Sequence, residues 1–231
     1  MRSRDRFPRG LHLLRLVPLF VLLVPILLGP APARAEAVDL KTFVTEWYVH
    51  GTPYEEARAY GPKAIPELLV MLHDPEMEPH WVKVVYTLGC IGDPSAIQPL
   101  MDFLGGLHGE ISADAFRAAL GVLPAVGGIA YGGDASAIKI VEEFVQPSTL
   151  TLYGLDFSYG RYRGDALAEV LGRMSIMGLG FSGRPESLAL LNRMFDDRTL
   201  RTDWLDNVAE AINVNSNIST LGPVRVYSGE R

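Results

Sequence analysis

One cysteine, Cys90, stands in 231 residues, which excludes any disulfide within the chain. It sits inside the apolar run Val84–Ile91, where a small buried hydrophobe is its expected role, and no electropositive neighbour points to a reactive thiol. Basic residues are also few, 21 Lys and Arg against 27 Asp and Glu. No Lys/Arg stripe breaks the acidic balance, so a nucleic-acid partner is not expected. Catalytic signatures are missing too. There is no Gly-x-Ser-x-Gly elbow, and Ser182 in Gly180-Phe181-Ser182-Gly183 follows a helical pattern rather than a strand. The pairs Gly127-Gly128 and Gly132-Gly133 lack the following Lys-Ser/Thr and the preceding strand of a phosphate loop, and read as helix ends. Strand signals are confined to Tyr153–Tyr162, a candidate hairpin, and Val224–Tyr227.

Long apolar runs are reduced to one. Arg2, Arg4, Arg6, Arg9 and Arg15 form a basic region around the apolar stretch Leu16–Leu28, and Ala33-Arg34-Ala35 places small residues at −3 and −1. Residues 1–35 are therefore expected to be a signal peptide cleaved before Glu36. The run is too short and too proline-broken for a stable anchor, and no other stretch is expected to span a bilayer. Removing the leader takes away six arginines and one aspartate, leaving 15 basic and 26 acidic residues and a net charge of about −11. The mature chain is expected to be periplasmic or extracellular.

What is present is a repeat. Ala64-Ile65…Leu68, Ala96-Ile97…Leu100, Ala137-Ile138…Val141 and Ser187-Leu188…Leu191 each join a small residue to an aliphatic i, i+3 pair that opens a helix. The last three follow stretches ending in Leu88-Gly89, Leu120-Gly121 and Leu171-Gly172. Helix pairs at such a period cannot bury their apolar faces alone and must stack on their neighbours. The spacing grows along the chain, from 32 to 41 to 50 residues, and the growth falls in loops. The body is expected over 36–212, with an insertion at 147–164. The tail 213–231 has no helical period and is expected to be partly disordered.

The stretches Pro62-Lys63-Ala64-Ile65-Pro66-Glu67-Leu68-Leu69, Val84-Val85-Tyr86-Thr87-Leu88-Gly89 and Gly92-Asp93-Pro94-Ser95-Ala96-Ile97-Gln98-Pro99-Leu100 resemble bacterial HEAT-like repeats. The resemblance is strongest over residues 61–104 and extends over 112–146 and 165–196. It implies an all-α fold, an α-solenoid of antiparallel helix pairs. Its second helices would line a concave surface of the kind that usually binds another protein. Deoxyhypusine hydroxylase, a HEAT-like di-iron enzyme, carries His-Glu dyads before each Leu-Gly. The matching positions here are Val82-Lys83, Asp114-Ala115 and Asp165-Ala166, so no iron ligands carry over. Phycobilin lyases share the repeat but act inside the cell, which an export signal does not suit.

The outward positions of the second helices are Pro66/Val70, Gln98/Asp102, Lys139/Glu143 and Ala189/Arg193, a mixed row suited to a protein partner. The insertion sets Tyr153, Phe157, Tyr159 and Tyr162 among glycines with Arg161 and Arg163. These rings either form a binding patch or fold back over the edge of the body. His73, Asp74, Glu76, Glu78 and His80 are the densest set of metal-ligand types, but they span a proline-containing turn, where capping is the simpler role. His108-Gly109-Glu110 reads as a polar loop. The function expected is a non-catalytic, cofactor-free adaptor that binds a protein through Gln98, Asp102, Lys139, Glu143, Tyr153, Phe157, Tyr159, Arg161 and Tyr162. An enzyme with its site on the 147–164 loop, or a structural subunit of an envelope complex, are the alternatives.

Overall fold

The computed structural model describes residues 38–48, 53–146, 148–197 and 202–228. The expected leader and its cleavage site lie outside the described residues. The described residues belong to one compact unit, Val38–Arg231. They are mostly helical, in the order α1 (Leu40–Thr45), α2 (Tyr54–Ala59), α3 (Ile65–His73), α4 (Trp81–Ile91), α5 (Ile97–Gly105), β1 (His108–Glu110), α6 (Ala113–Ala130), α7 (Ala135–Glu143), α8 (Thr149–Leu152), β2 (Asp156–Ser158), α9 (Asp165–Phe181), α10 (Pro185–Asp196), α11 (Thr202–Leu221) and α12 (Pro223–Ser228).

The turns follow from their residues. Gly92 leaves α4 in the left-handed region at φ 71°. Asp93 then accepts the Ser95 amide at 2.9 Å, and Pro94 opens a single 3₁₀ turn before α5. Asp134 caps α7 by accepting from the amides of Ser136 and Ala137, and Ser112 caps α6 by accepting from Ala115. The small residue of the repeat has a packing reason. Ala96, Ala137 and Ser187 are fully buried where the chain enters or begins α5, α7 and α10, while Ala64, before α3, is half-buried.

The helices form two layers. In the first, α2, α4, α6, α9 and α11 each pack on the next. In the second, α7 packs on α6 and α9, α10 on α9 and α11, and α3 and α5 on α4 and α6 respectively. Glycine sets how closely the first layer packs. A Cβ on Gly127 would lie 2.1 Å from the Gly178 carbonyl oxygen, and one on Gly178 would lie 2.6 Å from the Leu123 carbonyl oxygen. Between α4 and α6 a Cβ on Gly89 would meet the Ala125 Cα at 2.8 Å. In each case the obstacle is backbone, which cannot swing aside. Gly127 and Gly128 lie in the last turn of α6, close to the helix end expected from the sequence, and helix contact gives a further reason for glycine there.

Three expectations need correction. The tail from Asn213 is helical, since α11 runs to Leu221 and α12 follows, and Val224–Tyr227 is helix rather than strand. The apolar period fails there because Asn215 occupies a fully buried position, where its amide donates to the Leu179 carbonyl at 2.9 Å and to Ser182 Oγ at 3.3 Å. The candidate hairpin is replaced by a parallel pairing of β1 with β2, in the register His108↔Asp156, Gly109↔Phe157 and Glu110↔Ser158. Only a lone antiparallel bridge, Tyr159↔Tyr162, remains of it. Finally, α6, at 18 residues, is long and apolar enough to cross a bilayer by length and composition, although 61% of it is buried in the fold. Its apolar surface is taken up by α4 and α9.

Gly127→Ala is expected to destabilise the protein by about 1–3 kcal/mol, because neither helix can yield without moving its backbone. Gly105→Ala, at the end of α5 with nothing within 4 Å of the added methyl, should instead gain about 0.4–1 kcal/mol. Urea unfolding midpoints of the two variants should move in opposite directions.

Candidate functional site

The two insertions that stretch the repeat spacing meet each other. β1 lies between α5 and α6, β2 between α8 and α9, and their pairing joins loops 48 residues apart in sequence. Side chains reinforce the pairing. His108 Nδ1 and Asp156 Oδ1 are 2.6 Å apart, and the Ile111 amide donates to the Ser158 carbonyl at 2.9 Å. Glu110 is the clamp. Its Oε2 accepts from Ser158 Oγ at 2.8 Å and its Oε1 from the Gly160 amide at 2.7 Å. The Gly160 and Ser158 hydrogen bonds hold its carboxyl below the usual carboxylate range.

Beneath this clamp the aromatic residues divide into two groups. Phe157 is 2% exposed and belongs to the core, so it is not available as a contact residue. β2 alternates, and its central side chain points inward. Tyr159 and Tyr162 stack on buried Phe116, with ring centroids 4.9 and 5.2 Å away. Tyr153 packs on Phe144 at 4.8 Å and donates to Glu143 Oε2 at 2.7 Å. Burial, with the Glu143 hydrogen bond adding to it, pushes its phenol up to about 12. The rings therefore cover the edge of the body, while parts of Tyr159 and Tyr162 stay accessible.

Arg161 is the residue that faces outward. It is fully exposed, its guanidinium lies 5.2 Å from the Tyr162 ring centroid, and its Nη2 donates to the Tyr162 hydroxyl at 3.2 Å. Behind it opens a recess of 420 Å³ lined by Arg161, Tyr162, Ala166, Glu169, Val170 and Arg173. Arg173 donates to Glu169 at 2.7 Å across one turn of α9. The recess thus has Arg161 and the Arg173–Glu169 ion pair at its sides and an apolar lining at Ala166 and Val170.

The second-helix residues are less connected. Gln98 Nε2 donates to Asp102 Oδ1 at 2.7 Å on α5, and Lys139 lies 3.8 Å from Glu143 on α7. Both are exposed i, i+4 pairs of small energetic weight. Only Glu143 joins the insertion, through Tyr153. In the acidic turn, Asp74 accepts from the Glu76 amide at 2.9 Å and Glu78 accepts from the Ser112 hydroxyl. Among the described residues no group of three or more His, Cys, Asp or Glu is placed to hold a metal ion. Glu110, Glu169 and Arg173 escaped the sequence reading. The i, i+4 spacing of Glu169 and Arg173 was the one available signal, and nothing local marks Glu110, whose partners lie 48 and 50 residues away.

Comparison of the chain with protein-family profiles, curated proteins and solved structures gave no match in any of the three.

The clamp should depend on pH. A carboxyl depressed in the folded state supports that state above the ordinary glutamate value of about 4.3, and the support is lost as pH falls through the lower folded value. Protonated Glu110 gives up acceptor capacity for Gly160 and Ser158. Protection of the Gly160 amide against hydrogen exchange, referred to its intrinsic rate, is expected to fall on acidification. In Glu110→Gln it should be weak at neutral pH as well.

Proposed function

We propose that the mature chain is an exported, non-catalytic adaptor. In this reading it is a HEAT-like α-solenoid that works in the periplasm or outside the cell and binds another protein. Several features support it. First and second helices alternate, each first helix packs on the one before, and Leu-Gly recurs where those helices meet. The basic, apolar and small-residue pattern of 1–35 supports export.

The observation that carries the binding reading is Arg161, fully exposed over Tyr162 at the mouth of the 420 Å³ recess. The clamp at Glu110 orders the loop beforehand, so little entropy remains to be lost on association. A planar guanidinium on an aromatic ring suits a partner's carboxylate, which it can bind in bidentate fashion, with Ala166 and Val170 receiving the apolar part of that side chain. The contact surface proposed is therefore Arg161 and Tyr162 with the exposed parts of Tyr153 and Tyr159, leaving Phe157 as support from below.

With the native protein as bait in an envelope extract, Arg161→Ala is expected to weaken capture of the partner by about 2 kcal/mol, roughly thirtyfold in Kd. Arg161→Lys keeps the charge but loses the donor fork, and should fall between the two. Melting temperature should be unchanged in both, since the side chain is fully exposed. Equal capture by all three proteins would move the binding surface to Gln98, Asp102, Lys139 and Glu143.

A further inference from the structure

The helix α12 borders a space that the adaptor reading does not use. α12 packs on both α11 and α2, so the first-layer row α2–α4–α6–α9–α11 is bridged at its two ends by six residues. Tyr227 of α12 stacks on Tyr54 of α2, with centroids 4.9 Å apart and planes at 19°, and lies 5.9 Å from the ring of Phe181 at the end of α9. Between these rings and the faces of α4 and α6 lies a cavity of 150 Å³.

Its walls specify an occupant. Tyr54, Tyr86, Phe181 and Tyr227 supply aromatic faces, and Gly89, Gly121 and Gly128 leave bare backbone on the α4–α6 side. Among the described residues no charged side chain lines it, so an ion entering would lose its hydration without compensation. The polar side chains of its lining are three tyrosines and one cysteine. An apolar cavity of about 150 Å³ takes a benzene-sized molecule. Ring-lined walls favour a planar one, and the hydroxyls offer a partner to one polar substituent.

We propose that this cavity is a binding site for a neutral molecule of a single aromatic ring bearing one hydroxyl, with α12 as the wall that closes over it. The occupant assigned is a free small molecule of one ring, which the 150 Å³ accommodates, and a partner's tyrosine side chain is the rival occupant that the test separates from it. The site lies in the first layer, among residues separate from Arg161 and its recess, so it stands or falls independently of the adaptor reading.

The chain carries its own reporter. Cys90 is the sole cysteine, lines the cavity, and is 4% exposed, with burial pushing its thiol up to about 12. Its modification by methyl methanethiosulfonate can be followed by mass on the intact mature protein, with p-cresol as the probe. Modification should slow about tenfold once p-cresol reaches roughly ten times its Kd, by mass action on a site that excludes the reagent. N-acetyl-tyrosine methylamide should give no protection. Tyr227→Ala should speed modification without ligand and weaken the p-cresol effect. Val82→Trp, which fills the cavity from α4, should abolish that effect while circular dichroism confirms retained helix. Two results would overturn the proposal: unchanged modification at saturating millimolar p-cresol, which would mean a space holding only water, or protection by the capped tyrosine alone, which would make it a partner's docking point.

Discussion

Where α6 crosses α9, the carbonyl of Gly178 occupies the space that a side chain at Gly127 would need. Two backbones in direct contact bring the helix axes closer than any pair of larger side chains allows. The neighbouring contacts repeat the device, with Gly89 against Ala125 and Gly180 against Ala211. Close spacing in one layer and ordinary side-chain spacing in the other must bend the array toward the closely packed side. This curvature brings α2 and α11 near enough for one short helix, α12, to touch both. Gly89, Gly121 and Gly128 also border the cavity beside α12. Helix contact and curvature therefore share one cause.

The insertion solves a different problem. A three-residue parallel pairing is weak on its own, and parallel strands need a long crossover between them. Here α6 and α7 form most of that crossover, and the pairing is held from both sides. Phe157 anchors it in the core, while Glu110 ties the turn at Gly160 from the solvent side. Apolar anchoring within and a carboxylate clamp without are what allow a loop to present Arg161 in a fixed orientation.

Much of the helical architecture was legible in the sequence, because it depends on local signals. The small residues of the repeat, Ala96, Ala137 and Ser187, fall at or near the start of α5, α7 and α10, as the periodicity predicts, and the Gly92-Asp93-Pro94 turn follows from the conformational limits of those residues. What escaped was set by contacts remote in sequence. Gly127-Gly128 has the composition of a helix end and lies in the last turn of α6, but the close approach of Gly178 and Gly89 to it has no local signature. Asn215 reads as the loss of an apolar stripe, until Leu179 and Ser182 supply its hydrogen bonds. The parallel pairing of β1 with β2 has no local signature, since each strand is three residues long. At the candidate site the aromatic residues were recognisable, but not which of them face inward. Alternation within β2 decides that, and it follows only once the register with β1 is known.

The stacking of Tyr227 on Tyr54 has a consequence for cooperativity. An open array of helical repeats frays independently from its two ends, and its stability is a sum over neighbours. Here the last helix leans on one of the first, so loosening at either end removes a contact from the other. The free ends that would otherwise melt first are tied into a single transition. Without α12, the pocket at Cys90, Tyr54 and Tyr86 loses one of its walls. Docking of that one short helix thus supports α2 as well as α11.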